Sequence, residues 1–193
     1  MPLSTSLHKI APLSEQCQEA IRKVSQKVLY KKGRYLLRPE QTCTEIFFIE
    51  NGLIRVFYET QHSEERTMWF GYEGDFVASV KSFFTQTPSY EYIEILEDSI
   101  FWKISFQELE TLYKQYPELN YHFRKIYEHY LCLYQDRILL QKEPDCYHRY
   151  QLFLSLYPTL AYRLQVKHVA QYLNMTPNTL SRIRRELKEQ KLI

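Results

Sequence analysis

The stretch Val166–Ile193, VKHVAQYLNMTPNTLSRIRRELKEQKLI, decides how the chain is read. Two helices that cross at a tight angle need a small residue where they touch and a residue tolerant of positive φ in the turn. They also need apolar residues on the inner face of the second helix. Ala170 supplies the small contact, and Asn174, four residues on, suits the left-handed turn position. Val169, Leu173, Met175, Leu180, Ile183 and Leu187 complete a shared apolar core. Thr176 can cap the second helix, and Pro177 fits its first position, where a backbone N–H has no helical partner to lose. The pattern predicts a helix-turn-helix with its second helix over Pro177–Gln190.

The opposite face of that helix carries Asn178, Ser181, Arg182 and Arg185 at i, i+3, i+4 and i+7. Asn can pair bidentately with adenine and Arg with guanine, so these four are expected to face bases in a major groove of double-stranded DNA. Thr176, Arg184, Lys188 and Lys167 flank them and suit phosphates, contacts that position a protein without reading sequence. Charge agrees: residues 145–193 hold eight Lys/Arg against three Asp/Glu, a net +5 in a chain of net charge +2. An ordinary helical hairpin with a solvated basic face accounts for the charge, but not for the register of small, turn and apolar residues.

Upstream, Glu143-Pro144-Asp145 breaks a long helix and marks a boundary. Leu119, Phe123, Ile126, Tyr130, Leu133, Arg137 and Leu140 recur at alternating spacings of four and three, an a/d seam expected to pair with a second copy of the chain. A further amphipathic helix is expected over residues 145–157. Ser105 is placed to cap a short helix that Pro117 ends. Before Ser105 the pattern is β-rich. All four glycines lie between residues 33 and 74, and strands are expected over 28–37, 45–50, 53–58, 66–70, 76–80 and 90–104. Asn51-Gly52 predicts a two-residue hairpin. The fold class is therefore α+β: an N-terminal antiparallel β-roll, a long dimerisation helix and a C-terminal helix-turn-helix.

Several function classes fall away. No apolar run approaches the roughly 20 residues that span a bilayer, and Met1–Ile10 lacks a secretory pattern, so a cytoplasmic location is expected. Cys17, Cys43, Cys132 and Cys146 are scattered without C-x-x-C spacing and read as ordinary thiols. His8 and His62 are isolated, and His122 and His129 read as lining of the long helix, so no metal or cofactor is expected. The strand region holds only His62 and no H-x-H, and the chain has no G-x-S-x-G elbow. Catalysis is not expected. A cupin-like metal enzyme is the weakest alternative, and a ligand-binding or protein-interaction roll without DNA binding is the other.

The hairpin exit GLIRVFY (Gly52–Tyr58), the turn GYEGDFV (Gly71–Val77), EDSIFWKIS (Glu97–Ser105) and the terminal HVAQYLNMTPNTLSRIRRELKEQKLI occur in the order found in the Crp/Fnr family of bacterial transcription regulators. The chain resembles that family over almost its full length. The resemblance implies a cyclic-nucleotide-binding-like effector domain over residues 1–116, a dimerisation helix over 117–143 and a DNA-binding domain over 144–193. It also implies a homodimer on a near-palindromic site, with RNA polymerase a candidate partner and the effector unassigned. The departures are informative. Where the family's nucleotide binders carry Gly-Glu for the ribose and Arg beside Ser for the cyclic phosphate, this sequence has Ala78-Ser79 and Ser89-Tyr90. Loss of that Arg forfeits a charge-assisted contact of about 1.5–3 kcal/mol, so control by cyclic AMP or cyclic GMP is not expected. Cys17 stands nearly alone where oxygen-sensing members carry a cluster. Pro177-Asn178 replaces an Arg-Glu pair, with Arg182 retained, so the family's preferred base sequence does not carry over. The family's β-hairpin wing is expected to be missing or shortened after Leu192-Ile193.

Overall fold

The computed structural model describes residues 2–189. Helices α1 (Pro2–Ile10) and α2 (Glu15–Val24) precede strands β1 (Gln26–Tyr30), β2 (Tyr35–Leu37), β3 (Glu45–Asn51), β4 (Ile54–Glu59), β5 (Glu65–Gly71) and β6 (Phe76–Val77). Helix α3 (Val80–Thr85) separates these from β7 (Tyr92–Ile95) and β8 (Ser99–Ser105). Helices α4 (Phe106–Gln115), α5 (Glu118–Lys142), α6 (Cys146–Leu156), α7 (Leu160–Arg163), α8 (Val166–Tyr172) and α9 (Pro177–Glu189) complete the described chain. Contacts divide it into two compact units, Met1–Glu59 with Met68–Glu128, and Thr60–Thr67 with His129–Ile193.

The first unit is an antiparallel roll of two sheets, ordered β1-β8-β3-β6 and β2-β7-β4-β5. Alternation puts Phe47, Ile49, Ile54, Val56, Ile93, Ile95 and Phe101 into its core. The rings of Phe47 and Phe101 pack edge to face with their centroids 5.9 Å apart.

Several sequence expectations change here, and the one over 28–37 divides into β1 and β2, which lie in different sheets. Asn51-Gly52 does not form a hairpin, because β3 and β4 belong to different sheets. Gly52 has φ 130°, far from the left-handed value that a tight hairpin turn takes. Its N–H donates to Glu73 Oε1 at 2.9 Å, and a Cβ there would run into the Ser99 side chain. The dipeptide is a corner where the chain leaves one sheet for the other. The expected strand over 90–104 breaks likewise into β7 and β8, one in each sheet. The strand expected over 76–80 stops at Val77, and Ser79 stands at the N-cap of α3 instead.

Ser105 caps α4 as expected, in a reciprocal capping box with Glu108. Two of the cysteines, Cys17 and Cys43, are buried free thiols; burial pushes Cys17 up to about 12 and raises Cys43 as well. His122 is buried, its ring nitrogens on the carbonyls of Glu118 and Ala11. Among the described residues no helix is long and apolar enough to cross a membrane, and no group of three or more His, Cys, Asp or Glu side chains could hold a metal ion. The expectation about a wing concerns chain beyond α9, and residues 190–193 lie outside the described residues.

Candidate nucleic-acid interface

The second unit is built on a core of Tyr150, Phe153, Leu160, Val169, Leu173, Leu180 and Ile183. Ala170 is fully buried, which lets α8 and α9 approach closely. The turn between them ends α8 with two linked backbone bonds: Met175 N–H donates to Ala170 C=O at 3.0 Å, and Asn174 N–H to Gln171 C=O at 3.3 Å. This is a Schellman motif, and Asn174 takes its left-handed position with φ 51°. Thr176 then caps α9, its Oγ1 accepting from Thr179 N–H at 3.1 Å. Leu180, Ile183 and Leu187 are buried at i, i+3 and i+7, so the remaining face of α9 points outward.

That outward face carries Asn178, Ser181, Arg182 and Arg185, all exposed. Arg182 reaches only a loose pairing with Glu186 at 3.8 Å. Thr176 and Lys188 are exposed beside them. Lys167, near the start of α8, is exposed and lies 3.6 Å from Glu65 in the segment Thr60–Thr67. Gln171, one turn on, donates to the same carboxylate at 3.4 Å and accepts from the Thr67 hydroxyl at 3.3 Å.

Arg184 departs from its expected phosphate role. Its Nε donates to the Tyr150 hydroxyl at 2.9 Å, a second nitrogen donates to the Ala161 carbonyl at 3.4 Å, and its guanidinium lies over the Tyr150 ring. Those bonds hold it against α6 and α7. Arg149, counted with the basic residues of the tail, is buried altogether and bonds backbone carbonyls on both sides of it. Sequence reasoning missed this, although Arg149 stands four residues before buried Phe153, on the apolar stripe of α6.

The seam of α5 also needs correction. Leu119, Phe123, Ile126 and Leu140, expected to meet a second copy, are buried within the chain itself. Phe123 packs on Phe76 and Tyr113. Tyr130, Leu133 and Arg137 are half-buried, and Arg137 bonds the Tyr172 hydroxyl. An apolar repeat near 3.5 residues marks a packed face whatever covers it, and here the covering is largely the helix's own fold. A different stripe stands outward: Tyr127, Leu131, Tyr134 and Ile138, at spacings of four, three and four, with Leu131 70% exposed.

In the roll, two of the four expected effector positions, Ser79 and Ser89, come together in a buried polar cluster. Ser79 and Ser89 are buried and their hydroxyls lie 2.9 Å apart. Ser89 Oγ also accepts from Glu91 N–H at 2.9 Å. The Glu91 carboxyl is buried beside them; burial raises its pKa, opposed by a hydrogen bond from Ser79. Ala78 is half-buried, and Tyr90 is exposed, its ring edge-on to Tyr58. A buried cation does exist in the roll. Arg55 is committed, with two nitrogens on Glu94 Oε2 at 3.0 and 2.5 Å and its guanidinium stacked on Phe57.

A β-roll, a long helix and a helix-turn-helix with an exposed polar face on its second helix make up the described architecture. Comparison with known proteins agrees. Residues 27–116 match the cyclic nucleotide-binding domain family. No curated protein sequence matches the chain. Among solved structures, FixK2 from Bradyrhizobium japonicum is similar at 16% identity, covering 87% of this chain and 86% of that one, with a TM-score of 0.77. The c-di-GMP-responsive global regulator CLP from Xanthomonas campestris is similar at 14% identity, covering 93% and 94%, with a TM-score of 0.74. A regulator of the crp/fnr family from Eubacterium rectale is similar at 15% identity, covering 94% and 88%, with a TM-score of 0.71. The roll is thus similar to the cyclic nucleotide-binding domain family over residues 27–116, and the chain shares the overall fold of these solved regulators.

Proposed function

We propose that the protein is a dimeric, sequence-specific DNA-binding transcription regulator that does not respond to cyclic AMP or cyclic GMP. The observation that carries the reading is the face of α9. Asn178, Ser181, Arg182 and Arg185 project together from a helix whose other side is fully cored, and their chemistry suits base edges in the major groove. Thr176, Lys188 and Lys167 are the phosphate contacts in this reading. Arg184 acts instead by holding α9 to Tyr150.

Two copies joined along the Tyr127–Leu131–Tyr134–Ile138 stripe would present two recognition helices to successive major grooves, roughly 34 Å apart, on a near-palindromic site. Residues 1–116, 117–143 and 144–193 then serve as effector platform, dimer helix and DNA-binding domain, with RNA polymerase as a candidate partner and the cytoplasm as the place of action. The absence of cyclic-nucleotide control follows from the Ser79–Ser89–Glu91 cluster, which offers a carboxyl and two hydroxyls where a cyclic phosphate needs a cation.

Selection of a random duplex library on purified protein, followed by affinity measurement from low to moderate salt, tests the reading. The expected result is an enriched near-palindromic site whose affinity falls steeply with salt as counterions are released. No enrichment, or an affinity independent of salt, would overturn it.

A further inference from the structure

The buried guanidinium of Arg149 joins two helix ends. Its Nε donates to the Glu143 carbonyl at 2.8 Å and one terminal nitrogen to the Pro144 carbonyl at 3.4 Å. Both carbonyls lie just beyond the last turn of α5. The other terminal nitrogen donates to the carbonyls of Leu173 at 2.5 Å and Asn174 at 3.4 Å. Those two residues are the C-cap and the left-handed residue that end α8 and turn the chain into α9.

The C-terminal ends of helices leave carbonyls unpaired and carry partial negative charge, so one cation between two such ends satisfies both. The planar fork is what makes the joint directional: its donors leave from three nitrogens at fixed angles, whereas a lysine presents one point charge. Only 7% of the residue is exposed, so water cannot take over these bonds when the side chain is shortened.

We infer that Arg149 is a positioning residue that fixes the angle between α5 and the recognition helix, and thereby the spacing of half-sites that a dimer accepts. The inference rests on the DNA-binding reading above, and goes beyond it by naming what sets the geometry. Pro177 opens α9 three residues after Asn174, so an error in the turn is transmitted directly to the reading face. Loosening the joint leaves each α9 its own contacts but lets the two copies splay.

The test compares the wild-type protein with Arg149→Lys and Arg149→Met on two duplexes, one with selected half-sites at their natural spacing and one lengthened by two base pairs. The wild type is expected to prefer natural spacing by about tenfold or more, and both variants to lose that preference to within about threefold, because two-fold half-sites must match the protein's own spacing. Affinity for a single half-site and the dimer mass by sedimentation are expected to stay near wild type in both. A variant that keeps the wild-type spacing preference overturns the inference. So does one that loses single half-site binding in equal measure, which is the signature of simple misfolding. A DNA-free readout separates this outcome from failure of the DNA reading. Spin labels at Asp136→Cys and Ser181→Cys, on a background of Cys132→Ser and Cys146→Ser and diluted with unlabelled protein, report the α5-to-α9 distance within one protomer. That distribution is expected to be narrow with Arg149 and clearly broadened in both variants, and an unbroadened one overturns the inference even if no duplex is bound.

Discussion

The hydroxyls of Ser79 and Ser89 lie 2.9 Å apart inside the roll and satisfy one another. A phosphate entering there would have to break that bond and would meet the neighbouring buried Glu91 carboxyl. Arg55 is already bound to Glu94 through two of its nitrogens. Titration calorimetry with cyclic AMP and with cyclic GMP is therefore expected to show no saturable heat up to millimolar ligand. Binding in the micromolar range to either nucleotide would contradict this account of the cluster.

Glu91 predicts an unusual pH dependence. Burial raises its carboxyl pKa in the folded protein above the unfolded value, so the folded state holds its proton to higher pH. In the window between the two values the native state binds more protons than the unfolded chain, and stability falls as pH rises. Glu91→Gln removes this contribution. Thermal melts are expected to show the variant gaining on the wild type as pH climbs above about 4.5, the ordinary value of the carboxyl. A constant difference between the two proteins across that range would show that Glu91 is not the titrating group.

On α5, substitution should separate the two faces. Ile126→Asp buries a carboxylate among apolar side chains and is expected to cost several kcal/mol, on the order of 3 or more, seen as a large drop in Tm of the protomer itself. Leu131→Asp combined with Ile138→Asp alters the outward stripe and is expected to leave the fold intact while halving the mass by sedimentation. A dimer that survives the double change locates the pairing surface elsewhere.

Lys188 and Arg184 look interchangeable in the sequence but should behave differently. Exposed Lys188→Ala is expected to lower DNA affinity uniformly across sites and to reduce the log–log salt slope by about one, with Tm unchanged. Arg184→Ala removes the bonds to Tyr150 and Ala161 and is expected to lower Tm by several degrees, a loss on the order of 1–2 kcal/mol. If Arg184→Ala leaves Tm unchanged and lowers the salt slope, its hold on Tyr150 has no structural weight.

The terminal motif was legible because its determinants are local. Ala170, Asn174, Thr176 and Pro177 each answer a steric or capping requirement within one turn of chain, and the backbone bonds that meet it span five residues or fewer. Asn51-Gly52 was misleading for a related reason. An Asn-Gly pair suits a hairpin turn and a sheet corner alike, and what distinguishes them, the separate sheets of β3 and β4 and the close approach of Glu73 and Ser99, is set by the fold. The α5 seam was half legible: the repeat located a packed face correctly, but periodicity carries no information about whose atoms cover it. The roles of Arg149 and Arg184 were hidden because their partners, Leu173 and Tyr150, lie 24 and 34 residues away. A count of charges treats all arginines as solvated, and these two are not.

The residues Thr60–Thr67 belong with the helices of the second unit although the strands on either side of them belong largely to the first. The two units are thus interleaved along the polypeptide, and no single cleavage can part them cleanly. A fragment beginning at Pro144 would carry Lys167 and Gln171 without the Glu65 and Thr67 that meet them. The complementary fragment would keep an eight-residue segment, the loop before β5 with that strand's first three residues, whose helical partners had gone. The molecule is accordingly expected to resist being treated as two modules bolted end to end: its parts must be exchanged, expressed or evolved with that segment in mind.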